Sequence, residues 1–121
     1  TQAEEYSRLK AGVLEDSINS HFKLIEFKLF NEQINGGIEE TCIATVNGVP
    51  YTSINNAARI NAGLDIINTL QEIYQVKAPI FIDNAESVVE VLGMNSQLIK
   101  LYVSGQDTKL RIEIQDQKEE L

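Results

Sequence analysis

The sequence predicts an α/β domain: a mixed sheet with an antiparallel N-terminal hairpin and a parallel βαβ portion. Three observations predict it. Asn35-Gly36-Gly37 separates two runs of strand-like residues, a hairpin pattern. Residues 54–75 carry apolar side chains at helical spacing over a wide arc. The apolar run Ile80-Phe81-Ile82 is followed by a short helical pattern and a second apolar run at 98–103, a length that suits a crossover between parallel strands.

The first pattern, 2–20, is helical, with Tyr6, Leu9, Val13, Leu14 and Ile18 recurring every three or four residues. Such a stripe fits a core helix or the end of a coiled coil. Residues 22–30 are strand-like, and the alternation slips at Ile25, as at a bulge or in a strand covered on both sides. After the Asn-Gly-Gly turn, Ile38, Glu40, Cys42, Ala44 and Val46 share one face, with Glu39, Thr41, Ile43 and Thr45 on the other. Asn47-Gly48 marks a second tight turn, which Val49-Pro50-Tyr51 leaves.

In the long helix, Asn55 or Asn56 serves as the cap. Ile60, Leu64, Ile66, Ile67, Leu70, Ile73 and Tyr74 spread over enough of its circumference to predict that it is largely buried. Gly63 in its middle costs about 1 kcal/mol against alanine, so a close neighbouring backbone is expected there. The strand at 79–83, a short helix at 85–92, the strand at 98–103 and a turn at Ser104-Gly105-Gln106-Asp107 follow. Leu110, Ile112 and Ile114 then alternate as a final strand.

Length and composition set outer limits. A chain of 121 residues with 43% hydrophobic content makes one domain with a real core. A net charge of −8 makes it a poor partner, by itself, for DNA or anionic lipid. No apolar run is long enough to cross a membrane and no signal-peptide pattern precedes the first helix, so no membrane partner is expected. The single cysteine, Cys42, excludes an internal disulfide framework and fits a reducing, cytoplasmic setting; its place on the apolar side of a strand predicts a core residue. The chain opens at Thr1 inside a helical pattern, which suggests a piece of a longer protein. Its end, 115–121, holds Asp116, Glu119 and Glu120 against Lys118 and is expected to be a disordered acidic tail.

Most catalytic constellations are missing. One histidine, His21, and one cysteine cannot build a multi-histidine or zinc-thiolate site. There is no Gly-x-Ser-x-Gly elbow and no phosphate loop, and Gly36-Gly37 belongs to the hairpin turn. Asp83 is the candidate that remains. A carboxylate at the C-terminal end of a buried parallel strand stands where open α/β sheets place ligands, and it can hold Mg²⁺ there. The same residue can equally cap the helix that follows.

Residues 20–114 resemble the C-terminal lobe of the SMC/SbcC-type ATPases, the coiled-coil ABC proteins of chromosome maintenance and DNA-break repair. Residues 2–20 match the returning coiled-coil helix, and Ile54-Asn55-Asn56-Ala57-Ala58-Arg59 stands at the signature that opens the long helix. Pro79-Ile80-Phe81-Ile82-Asp83 occupies the Walker B strand, and 98–103 the next. Val46-Asn47-Gly48-Val49-Pro50-Tyr51 and Asn84-Ala85-Glu86-Ser87 look most like a phage and prophage subgroup.

The resemblance implies a head that binds Mg-ATP and dimerises around it in DNA repair or recombination. Asp83 would serve the metal, and Asn55, Asn56 and Ala57 the phosphate of an opposing head. Glu90 stands at the D-loop aspartate position. Asn84 occupies the place of the catalytic glutamate and cannot act as a base; Glu86 is the candidate substitute, or an ordinary first-turn helix acid. No histidine lies near Ser104, where a switch histidine is expected, and the phosphate-loop lobe is absent. The implied partners are that N-terminal lobe or a second copy of the chain, with DNA in the full-length context. A homo-oligomer is expected, and no nucleotide is expected to bind this chain tightly. It should not hydrolyse ATP alone. The competing expectation is a non-enzymatic binding or assembly module with a degenerate ATPase-like fold.

Overall fold

A computed structural model describes residues 1–115. Its elements are α1 (Gln2–Asn19), β1 (Ile25–Glu32), β2 (Ile38–Val46), β3 (Val49–Pro50), α2 (Asn56–Tyr74), β4 (Ile80–Ile82) and β5 (Leu98–Lys100). They form an α/β fold with two separate sheets rather than one mixed sheet. β1, β2 and β3 are antiparallel, and β4 and β5 are parallel.

The hairpin follows its turn residues. Gly36, at φ +85°, closes the first turn, where the Gly36 N–H donates to the Gln33 carbonyl at 2.9 Å. Asn47 and Gly48 both have positive φ, 51° and 78°, the backbone of a type I′ hairpin turn. The register of β1 against β2 slips between Lys28 and Phe30, where the single residue Leu29 faces Thr41 and Cys42, so the bulge lies in β2 opposite Leu29 rather than at Ile25.

Helix α1 lies along the free edge of β1. The Asn19 carboxamide pairs with both backbone groups of Phe27, donating to its carbonyl at 2.9 Å and accepting its N–H at 2.7 Å. Glu15 accepts the N–H of Leu29, opposite the bulge, at 2.9 Å, and Arg8 bridges to Glu32. Side chains thus do for this edge what another strand would. The face of α1 turned inward carries half-buried Ala11, Glu15, Ile18 and Asn19, while Tyr6, Leu9 and Val13 are exposed.

Helix α2 joins the two sheets. Asn55 caps it, accepting the Ala58 N–H at 2.9 Å. One side of it meets the hairpin through Asp65, only 1% exposed. The Asp65 carboxylate accepts the backbone N–H groups of Lys23, Leu24 and Ile25, the Leu24 bond measuring 2.6 Å. Thr69, one turn on, donates to the His21 carbonyl, so His21 takes part through its backbone. The other side of α2 forms the core: Leu64 packs with Ile80, Ile82, Ala85 and Met94, flanked by Ile60, Val91, Leu92 and Leu98.

Several expectations are corrected. Only the first two-thirds of α2 is deeply packed; Ile67, Leu70, Ile73 and Tyr74 are exposed because neither sheet reaches its last turns. Gly63 has no neighbour within 4 Å of the position a Cβ would take, so close backbone approach does not explain it. Cys42 is exposed rather than core, since α1 covers the edge of β1 and not the face of β2 at that point. The helix expected at 85–92 is one 3₁₀ turn, Ala85–Ser87, followed by irregular chain. The strand expected at 98–103 keeps only Leu98–Lys100 in the ladder. Residues 110–114 are exposed and join no strand. Of the expected acidic tail, 116–121 lies outside the described residues.

Candidate functional site

Strand β4 ends at Ile82, and Asp83 leaves it at the C-terminal end of the parallel pair. Ile80 and Ile82 are buried beneath α2, whereas Phe81 between them is 66% exposed. The Asp83 side chain is exposed, and its Oδ1 accepts only the neighbouring Asn84 N–H, at 2.9 Å. It does not cap the Ala85–Ser87 turn, whose N-cap position is Asn84. The second carboxylate oxygen makes no hydrogen bond among the described residues. It is available to solvent or to a ligand.

Asn84 has φ +57°, the left-handed region that asparagine tolerates and that costs a larger side chain about 1 kcal/mol or more. Its place is therefore set by the turn. From there the chain folds back across the ends of the strands: Ala85 N–H donates to Leu101 O, and Leu101 N–H to Ile82 O. Glu86 is exposed, and its carboxylate lies 3.4 Å from the Val103 N–H. That is the position of a first-turn acid leaning on the extended chain after β5.

The N-terminus of α2 reaches this corner. Asn56 Nδ2 donates to Ser87 Oγ at 2.8 Å, and Ser87 Oγ donates to the Asn84 carbonyl at 2.8 Å. A continuous line of contacts therefore runs from the first turn of α2 to the residue beside Asp83. Asn55 and Asn56 are exposed, and Ala57 is half-buried. Arg59 is held away from the corner by the Tyr51 and Thr52 carbonyls and lies over the Tyr51 ring. Glu90 lies in the irregular segment after the Ala85–Ser87 turn, its carbonyl held by Asn61 of α2 and its side chain exposed.

Among the described residues no three His, Cys, Asp or Glu side chains come together to hold a metal. Asp83 alone supplies one carboxylate. That fits Mg²⁺, which is commonly bound through one or two carboxylates with phosphate and water completing its shell. It does not fit an ion held by this chain unaided. The backbone N–H groups at the start of α2 suit an anion.

Sequence reasoning passed over Asp65, Asn61 and Asn68. An acid on the buried arc of α2, between Leu64 and Thr69 and three residues from Ala62, was the signal for Asp65. The asparagines carried none, because what they hold is an irregular segment. No helix among the described residues is long and apolar enough to cross a membrane. Comparison of the chain with family models, curated proteins and solved structures finds no match.

Proposed function

We propose that this chain is the C-terminal half of an SMC/SbcC-like ATPase head. In this reading the half carries the metal carboxylate and the phosphate-sensing helix, and it requires a separate phosphate-loop lobe. The observation that carries the reading is the corner at Asp83: a carboxylate at the mouth of a parallel strand pair, joined to the first turn of an asparagine-capped helix. Mg-ATP supplies the divalent ion and the triphosphate. Asp83 holds the ion, and the first turn of α2, with Asn55, Asn56 and Ala57, receives phosphate from an opposing head.

Glu86, exposed on the turn that follows Asp83, is the acid that would stand in for the missing base, and its placement beside Val103 N–H ties it to the chain after β5. Two surfaces support a missing lobe. Strand β4 has no neighbour beyond β5 among the described residues. Helix α1 turns Tyr6, Leu9 and Val13 outward, at the spacing of a coiled-coil seam. The setting this implies is DNA repair or recombination in a cytoplasmic, oligomeric assembly.

A second reading, a non-enzymatic assembly module, is favoured by Asn84. Its left-handed backbone suits asparagine better than the glutamate an active head would carry. Titrating the intact protein with Mg-ATP separates the two. An ATPase half loses affinity at least roughly tenfold in Asp83→Ala, the loss expected when a charged contact is removed. An assembly module shows no nucleotide binding, or binding that Asp83→Ala leaves as it was.

A further inference from the structure

The chain around and beyond β5 keeps the alternation of a strand with a neighbour on one side only. The Ile80 N–H donates to the Gln97 carbonyl at 2.9 Å, the Leu101 N–H to the Ile82 carbonyl at 2.8 Å, and the Ala85 N–H to the Leu101 carbonyl at 3.0 Å. The Val103 N–H faces Glu86. Residues 97, 101 and 103 thus turn backbone groups toward β4 and the turn after it. By alternation, Leu98, Lys100 and Tyr102 turn theirs to the other side, where no strand lies among the described residues.

The residues that follow match that free edge. The chain bends at Ser104, whose Oγ accepts the N–H groups of Gln106 at 3.4 Å and Asp107 at 3.3 Å. A two-residue hairpin loop at Gly105-Gln106 would make hydrogen-bonded pairs of Tyr102 with Lys109, Lys100 with Arg111 and Leu98 with Glu113. Those are the three residues whose groups are free; a loop one residue longer would offer the wrong ones. The same register sets Ile99 against Ile112 and Leu101 against Leu110, on the face that carries Phe81. Leu110 and Ile112 are now 92% and 81% exposed, apolar residues at strand spacing with nothing against them.

Arg111 keeps the arm away. Its Nε and Nη2 each donate to the Asp107 carboxylate at 3.3 Å, and it also pairs with Glu113. In a strand, residues 107 and 111 would stand about 13 Å apart, beyond the reach of Arg111 Nε to that carboxylate. The hairpin would also set Arg111 opposite Lys100, and like charges directly opposite disfavour pairing. The Asp107–Arg111 pair is exposed, so it holds weakly and a single side chain can tip the balance.

We propose that Arg111 is the latch of a conformational switch. While it holds Asp107, the arm 108–114 stays off the sheet. When it lets go, the arm folds through Gly105-Gln106 onto the free edge of β5 as a third, antiparallel strand. The switch stands apart from the ATPase reading and needs no partner chain.

Gly105 supplies the control. Its φ is not positive in the latched form, and nothing lies within 4 Å of the position a Cβ would take, so Gly105→Ala leaves that form intact. The hairpin loop, of type II′, requires a positive φ there, which alanine resists.

The test is amide hydrogen exchange and Hα–Hα cross-relaxation in the full chain. Arg111→Glu breaks the latch and puts a carboxylate opposite Lys100. Exchange at the Lys100 and Tyr102 amides should slow by about tenfold or more against the parent, and Hα contacts of Ile99 with Ile112 and of Leu101 with Leu110 should appear. Adding Gly105→Ala should return both to the parent's values. No slowing in Arg111→Glu, or slowing that survives Gly105→Ala, overturns the switch. So does slowing that grows with protein concentration, which would place the arm on another molecule's edge.

Discussion

The hairpin region and the β4–β5 region treat their sheet edges in opposite ways. β1 has its free edge covered by α1, whose Asn19 and Glu15 take up the backbone groups of Phe27 and Leu29. β2 is followed by β3 at one end and presents Glu39 and Glu40 along its length. Both edges are closed or charged, the usual defences against pairing with another chain. The parallel pair has neither defence. Beyond β4 and β5 lies no further strand among the described residues, and Phe81 stands exposed on the uncovered face. Parallel sheets are ordinarily buried on both faces. One region closes its edges with its own side chains, and the other leaves its edges and the Phe81 face open among the described residues.

The largest expected effect breaks the closed side. Asp65→Ala leaves the N–H groups of Lys23, Leu24 and Ile25 without their acceptor. At about 1–3 kcal/mol for a buried group left unsatisfied, with Ile25 buried and the Lys23 and Leu24 bonds part-buried, a loss of roughly 3–5 kcal/mol is expected, enough to unfold a marginal domain. Urea denaturation measures it. A loss below about 1 kcal/mol would mean that the hairpin and α2 are not joined through this carboxylate.

Next in size is the edge of β1. Asn19→Ala should cost about 1–2 kcal/mol and open Phe27 to pairing, so the variant should self-associate in sedimentation while the parent hairpin does not. If it stays as stable and as monodisperse as the parent, α1 does not guard that edge. The open side should answer differently. Phe81→Asp should change the stability of this chain by no more than about 0.5 kcal/mol, because the residue is already 66% exposed. It should weaken association with a completing lobe by about 2 kcal/mol or more. A large loss of stability in the chain alone would show that the face is already covered.

These contrasts were legible in the sequence to unequal degrees. Asn47-Gly48 and the Asn35-Gly36-Gly37 turn announced the hairpin because positive φ leaves few residue choices. Asn55 announced the start of α2 because capping is a local rule. The end of β4 at Asp83 was visible as an apolar run stopped by an acid. The irregular chain after the 3₁₀ turn was not visible. Residues 85–92 carry a helix-compatible pattern, and the side chains that hold the stretch from Ser87 to Gly93 as irregular chain stand some twenty-five to thirty-one residues earlier. Cys42 and residues 110–114 misled for a related reason. Alternation states which side of a strand is apolar, not whether anything covers it.

The smallest effect is a matter of pH, beyond β5. The Ser104 hydroxyl and the Arg111 guanidinium beside Asp107 hold its carboxyl below the usual carboxylate range. A lowered native pKa adds stability that is present above the ordinary carboxylate pKa and is lost as pH falls through the lowered one. The local Asp107–Arg111 pair should therefore persist through neutral and mildly acidic pH and open only in stronger acid. Carboxyl carbon shifts of Asp107 follow this, and Arg111→Gln should move the midpoint upward. A midpoint in Arg111→Gln equal to the parent's would remove the pair from the account.

The most direct test of the claim that the open side is half of a nucleotide site is to replace Mg²⁺ with Mn²⁺ in the ATP complex of the intact protein. Paramagnetic broadening is then mapped onto the amides of this chain. The account predicts broadening centred on Asp83 and Asn84, reaching Asn55, Asn56 and Ala57 at the start of α2, and sparing Glu39 and Glu40 on the hairpin. Broadening spread over the acidic hairpin, or none at Asp83 with ATP present, would contradict it.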